Sequence, residues 1–187
     1  MCERCPWLDT TKPDYVAYHD DEWGVPVHDD TVMFEFLILE SAQSGLSWYT
    51  ILKKREGYRK LFADFDVTEV AKFNSDDVER LMLDTSIIRN RLKIKAAINN
   101  AKRFIEIQNE YGSFCKFIWS YVNNKTIVNN IEKIEDYVAT SPISDQLAKD
   151  MKKRGFKFLG STTLYSHLQA TGLINDHSNK CIRKLEV

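Results

Sequence analysis

The 187-residue sequence predicts an all-α protein. Three observations carry that reading. Apolar residues recur at helical spacing along much of the chain, most clearly at Ile94, Ala97, Ile98, Ala101, Phe104 and Ile105. Residues that cap helix starts precede several of these runs, and glycines follow their ends. No stretch shows the strict apolar–polar alternation of a half-buried strand, and no internal repeat stands out.

The elements follow in order. Residues 31–43 are apolar nearly all round, so they predict a buried helix. "SWYTILKKREGYRKLF" (47–62) predicts the next, with Ser47 as its cap. Asp66 and Glu69 have capping-box spacing before a short helix through Phe73. Ser75 is read as the cap of another, with Asp76 and Asp77 in its first turn and Val78, Leu81 and Met82 on one face. A long helix spans Arg91 to Glu110 and stops at Tyr111-Gly112; a shorter one covers 113–122. Residues 125–134, "KTIVNNIEKI", are ambiguous, polar and β-branched enough for a loop. Ser144 is read as the cap of a helix that turns Leu147, Ala148 and Met151 inward. Lys152, Lys153 and Arg154 crowd its last turn and Gly155 ends it. Ser161, after Gly160, is read as the cap of a helix running to Thr171. "RGFKFLG" (154–160) is then a tight hairpin between two helices. Phe156 and Phe158 should tuck it onto the core while Lys157 faces out.

With 43% hydrophobic residues the chain can bury a real core, expected as one domain over 1–187, in two lobes. No apolar run approaches the roughly 18–20 residues of a membrane span. The opening "MCERCPW" lacks the form of a signal peptide, and four cysteines do not make a disulfide scaffold, so a cytoplasmic location is expected. Net charge is −1, but it is segregated. Residues 1–50 carry ten Asp/Glu against two Lys/Arg, whereas 51–60 and 149–157 each carry five basic groups against one acid. Such basic surfaces suit a polyanion, although ordinary solvated helix faces produce the same pattern.

Near the end, "NDHSNKC" (175–181) places His177 and Cys181 four apart. Both are good metal ligands, and a structural zinc wants four N/S ligands in a closed tetrahedron. Cys115 and His167 lie in apolar helical patterns, where a buried thiol and an interior histidine are expected. Cys5, His19, His177 and Cys181 would give a Cys₂His₂ set that clips residues 1–20 to 175–181. Cys2-x-x-Cys5 is also a ligand spacing, so spacing alone leaves open whether Cys2 or His19 completes the site. Backbone N–H groups of the 154–160 hairpin, beside a helix N-terminus, could hold a phosphate.

Taken together, "ERCPW", "YVAYHDDEWGVP", "LESAQSGLSWYTILKKRE", "IIRNRLKI", "FIWSYVN", "KKRGFKFLGSTTLYSHLQATGLINDH" and the final Cys181 closely resemble the 3-methyladenine DNA glycosylase I family. This is the constitutive bacterial branch of the helix-hairpin-helix glycosylases. The matching stretches keep their order over almost the full length. The resemblance implies a helix-hairpin-helix at about 144–172 and one structural zinc ion on Cys5, His19, His177 and Cys181, with Cys2 a bystander. It also implies a hydrolase of base-excision repair that flips 3-methyladenine out of alkylated double-stranded DNA and removes it, leaving an abasic site. The matching Glu40 would hydrogen-bond the base edge, with Tyr18 and Trp48 as further base contacts.

Physical chemistry supports the same residues. A flipped base needs an aromatic pocket, and Tyr15, Tyr18, Trp23 and Trp48 are the candidates, though each could equally be core packing. A base alkylated at N3 is cationic in DNA, so a buried carboxylate such as Glu40 is a logical selector and the catalytic candidate. Gln43 and Leu46 are candidates to fill the hole in the stack, with Gly45 letting backbone approach the strand. Arg154, Gly155, Lys157 and Gly160 would grip phosphates. Asp176 is tempting as the acid that many helix-hairpin-helix relatives use, but it abuts His177, and this family is understood to lack that residue. No Lys is placed for a Schiff base, so a monofunctional enzyme is expected, acting as a monomer. The rival readings are a non-catalytic zinc-clasped DNA-binding module and a glycosylase for another damaged base.

Overall fold

A computed structural model describes residues 3–187, so Cys2 lies outside the described residues. The helices are α1 (Pro13–Asp21), α2 (Asp30–Gln43), α3 (Trp48–Leu52), α4 (Arg55–Leu61), α5 (Val67–Lys72), α6 (Ser75–Leu83), α7 (Arg91–Tyr111), α8 (Phe114–Trp119), α9 (Pro142–Lys153) and α10 (Ser161–Ala170). Among the described residues none is long and apolar enough to cross a membrane.

α2 is the axis of the fold. Every residue from Met33 to Ala42 is buried, as its all-round apolar sequence requires, and α3, α7, α8 and α10 pack around it. Asp29 caps its start by accepting from the Val32 N–H, and Asp30 accepts from the N–H groups of Phe114 and Cys115, which fixes the start of α8.

Several local expectations change. The 47–62 stretch is two helices rather than one, broken at Lys53-Lys54. The break turns Arg55 inward, where its guanidinium meets Glu35 and Glu22, each at 2.5 Å. Ser47 does cap α3, and Asp66 caps α5. Asn74, not Ser75, caps α6, because its side chain accepts from both Asp76 and Asp77 while Asp77 returns a bond to the Asn74 N–H. Ser141, not Ser144, caps α9, followed by Pro142 at the position that favours proline. Gly160, not Ser161, is the N-cap of α10. The Ser161 hydroxyl instead reaches Ser144 at 2.8 Å and Asp145 at 2.6 Å, joining the starts of α9 and α10. The ambiguous 125–134 stretch supplies a two-residue strand, Ile127–Val128, paired in parallel with Ile174–Asn175. Sequence reading also passed over α1, whose only buried residues are Tyr18 and His19. Its start is marked by Pro13 and Asp14 rather than by an apolar stripe.

Between α9 and α10, Gly155 takes φ +88°, and the Phe156 N–H returns to the Met151 carbonyl. Phe156 is buried as expected. Phe158 is not: its φ of +56° turns the ring outward, leaving it 42% exposed, and Leu159 takes the inward place. Two asparagines of α7 hold this turn from beneath. Asn100 bonds both the N–H and the carbonyl of Lys157, at 2.8 and 2.9 Å, and Asn99 donates to the Gly155 carbonyl at 2.9 Å.

Candidate active site and metal centre

A cavity of about 310 Å³ opens between α1, α2, α3 and α10. Tyr15, Tyr18, Trp23, Glu40, Gln43 and Trp48 all line it, so six residues singled out from sequence converge on one space. The aromatic rings form a continuous wall: Tyr15 stacks on Tyr18 at 6.3 Å between centroids, and Tyr18 meets Trp48 at 5.4 Å. Tyr15 therefore serves the cavity and packs on its neighbours at once.

Glu40 is 3% exposed, at the inner end of this wall. Its partner is His167 of α10, fully buried, whose Nδ1 lies 2.8 Å from Glu40 Oε2. Glu40 Oε1 and Trp48 Nε1 have no hydrogen-bond partner among the described residues. Burial pushes the Glu40 carboxyl above its usual range, and the His167 imidazole pulls it part of the way back. The Tyr18 phenol is raised well above its usual value, first by burial and then by the Glu40 carboxylate.

The cavity continues into a second one, of about 290 Å³, that shares Glu40, Gln43 and Ser166 and reaches Gly45, Leu46 and the start of α10. Leu46 is 41% exposed at the tip of the turn, and Gly45 has φ +80° with open space where a side chain would stand. Lys93 anchors the turn, its Nζ donating to the carbonyls of Ala42 and Ser44 at 2.8 and 2.7 Å.

At the hairpin, Lys157 is exposed and has no ion pair among the described residues, while Gly160 faces open space. Arg154 differs from expectation: its guanidinium is paired with Glu110 at 2.6 Å and lies over the rings of Tyr111 and Phe117. It braces α9 on α7 and α8 instead of standing free. Asp176 is buried and accepts from Asn129, Tyr165 and Gln169 at 2.7, 2.8 and 2.7 Å; it does not line the cavity.

Cys5, His19, His177 and Cys181 come together, all buried, with one ligand atom of each within 4.8 Å of the others. His19 Nε2 lies 3.6 Å from Cys181 Sγ, close to the roughly 3.5 Å edge of a tetrahedron with metal–sulfur and metal–nitrogen bonds of ordinary length. The other ring nitrogens are turned away: His19 Nδ1 to Asp20 at 2.8 Å, which Arg4 holds in turn, and His177 Nδ1 to Asn175 at 3.2 Å. That leaves His177 Nε2 buried without a partner among the described residues. Burial holds the His177 pKa down to about 3, keeping the ring neutral and ready to donate its lone pair.

Sequence reasoning missed three contributors. His167 was read as an interior histidine, and nothing in the sequence couples position 167 to position 40. Trp7 joins the cavity wall and packs on His19 at 5.4 Å. Ile134, the last residue of the ambiguous 125–134 stretch, and Tyr137 and Val138 beyond it form the cavity lip.

The model of the methyladenine glycosylase family matches residues 7–184. The chain is 47% identical over 179 residues to DNA-3-methyladenine glycosylase 1 of Escherichia coli (strain K12), covering 96% of this chain and 95% of that protein. It is 42% identical over 181 residues to the DNA-3-methyladenine glycosylase of Haemophilus influenzae, covering 97% of each. A structure of 3-methyladenine DNA glycosylase I from Staphylococcus aureus, solved for the basis of its 3-methyladenine recognition, matches at TM-score 0.91 and 43% identity, covering 94% of this chain and 93% of that one. A match over nearly the whole chain, in sequence and in three dimensions, shows that the chain belongs to the methyladenine glycosylase family.

Proposed function

We propose that this protein removes 3-methyladenine from alkylated duplex DNA, with Glu40 reading the base inside the aromatic cavity. The observation that carries the reading is a buried carboxylate with one oxygen unengaged at the wall of that cavity. A module that only bound DNA would have no use for it. The flipped nucleotide enters between the aromatic walls, and the ionised Glu40 favours a cationic purine over neutral adenine. Tyr18 and Trp48 supply the remaining base contacts. The alkylated base is already a good leaving group. As the bond from C1′ to the base breaks, its electron pair passes to the base, which departs neutral; water then adds at C1′ and gives up a proton. Gln43 and Leu46 fill the vacated stack, and backbone groups at Gly155 and Gly160, with Lys157, hold phosphates.

In this reading α9, the 154–160 turn and α10 form a helix-hairpin-helix within a single domain over 1–187. Cys5, His19, His177 and Cys181 would hold one structural zinc ion, supported by the His177 Nε2 that has no partner among the described residues and by four ligand atoms within 4.8 Å of one another. Zinc there neutralises two thiolates and ties the N-terminal segment to the C-terminal one.

Duplexes each bearing one lesion test the proposal by release of free base. 3-Methyladenine should appear with the strand left intact. Release of 7-methylguanine or uracil in its place would reassign the substrate, and no release from any duplex would favour a binding module.

A further inference from the structure

Resting on that reading of the cavity, we infer that His167 is a positioning residue for base recognition, holding one oxygen of Glu40 so that the other meets the base. The two side chains are 127 residues apart and meet inside the protein, at 0% and 3% exposure, with Nδ1 and Oε2 2.8 Å apart. A carboxylate on a helix can rotate about its last bond and offer either oxygen. A fixed donor on one side removes that freedom and leaves Oε1 as the acceptor, and Oε1 is the oxygen without a protein partner. α10, which follows the phosphate-binding turn, thus carries the group that aims the base-reading carboxylate. Placement of the turn on DNA and orientation of Glu40 share one rigid element.

His167 also supports the charge on Glu40. Burial alone disfavours a carboxylate, and the imidazole is the group that offsets it. The other ionisable groups around α2 are engaged elsewhere or keep their protons. Arg55 and Arg59 bind Glu35, and Lys93 binds the carbonyls at the end of α2. On α8 the Cys115 thiol is pushed up by burial, on α3 Tyr49 lies under Lys12, and on α1 the Tyr18 phenol is raised. No second cation faces the carboxylate among the described residues.

His167→Leu and His167→Asn test this with three measurements: kcat/KM for 3-methyladenine release against pH, affinity for the free base, and affinity for undamaged duplex. His167→Leu should lower release and free-base affinity about ten- to hundredfold, leave undamaged-duplex binding unchanged, and move the acid limb of the profile to higher pH. In a Glu40→Gln background the same change should add little, because both act through one carboxylate. His167→Asn keeps a donor on that side of Glu40, so it should recover most of the release. Wild-type release by His167→Leu, or an equal further loss in the Glu40→Gln background, would overturn the inference. If the Leu variant does not fold, a His167→Asn variant that releases base as slowly as Glu40→Gln does the same. A wild-type protein that releases no base would instead sink the reading of the cavity.

Discussion

Trp23 packs its ring against the imidazole of His177, centroids 4.5 Å apart at 61°, while the same ring lines the cavity that holds Glu40. Trp7 repeats the arrangement, 4.8 Å from Trp23 and 5.4 Å from His19. The Cys5, His19, His177 and Cys181 cluster and the cavity therefore share a wall of two tryptophans. Anything that disorders the cluster should loosen the cavity.

Metal removal tests this coupling. Protein made without added metal should carry about one zinc per chain by elemental analysis. Stripping it with a chelator should lower the melting temperature and shift tryptophan emission to the red, with free-base affinity falling in step. Cys181→Ala should behave like the stripped protein, because structural zinc binding, about 10–16 kcal/mol, matches or exceeds the roughly 5–15 kcal/mol that separate folded from unfolded. Cys2→Ala should keep metal and stability; the opposite pattern would overturn the choice of ligands.

Gly24 offers a second approach to the same wall. Its φ is +82°, and an added Cβ would lie 2.6 Å from His177 Cε1. Gly24→Ala combines backbone strain of about 1–2 kcal/mol with a displaced ligand ring. It should weaken zinc retention and lower the melting temperature without replacing any of the four proposed ligands. Full zinc occupancy after dialysis against a mild chelator would show that the ring can yield.

Much of this was legible in the sequence, because local rules and side-chain chemistry agree there. The all-α class followed from periodicity in α2 and α7. The resemblance to the glycosylase family brought Tyr18, Glu40 and Trp48 forward together, and a carboxylate set in an apolar helix between aromatic-rich stretches agreed with it. Cap positions slipped where two acceptors compete one to three residues apart, as at Asn74 beside Ser75 and Ser141 before Ser144, since geometry rather than residue type decides between them. The break at Lys53-Lys54 was hidden because the force that makes it is tertiary: Arg55 turns to reach Glu35 and Glu22. The Glu40–His167 pair was hidden for a similar reason, since spacing along a chain says nothing about contacts 127 residues apart.

Asn100 should control the grip on DNA without reading the lesion. It is fully buried and holds both backbone groups of Lys157, so Asn100→Ala leaves those groups to find new partners and lets the turn move. The loss of such bonds costs about 1–3 kcal/mol. Binding to undamaged and lesion-bearing duplexes should weaken by the same factor, with free-base affinity unchanged. Lys157→Ala should give a smaller uniform loss and a slightly shallower salt dependence, since it removes one phosphate contact. A defect confined to lesion-bearing DNA would place Lys157 at the base instead.

Glu40→Gln is the decisive substitution. It keeps the shape and removes the charge, so folding and zinc content should survive. A charge-assisted hydrogen bond is worth roughly 1.5–3 kcal/mol, so 3-methyladenine release and free-base affinity should fall about ten- to hundredfold. Undamaged-duplex binding, which the proposal assigns to the 154–160 turn and Leu46, should hardly change. The pH dependence follows from the same group. Burial raises the Glu40 carboxyl above its usual range, and the ionised form is the one that recognises a cation. Wild-type release should therefore be lost as pH falls through that raised value, at a higher pH than an exposed glutamate would set. Glu40→Gln should lose this acid limb altogether. If the variant released 3-methyladenine at wild-type rates with the acid limb intact, Glu40 would not be the selector. Asp176, held by Asn129, Tyr165 and Gln169, would then be the next carboxylate to test.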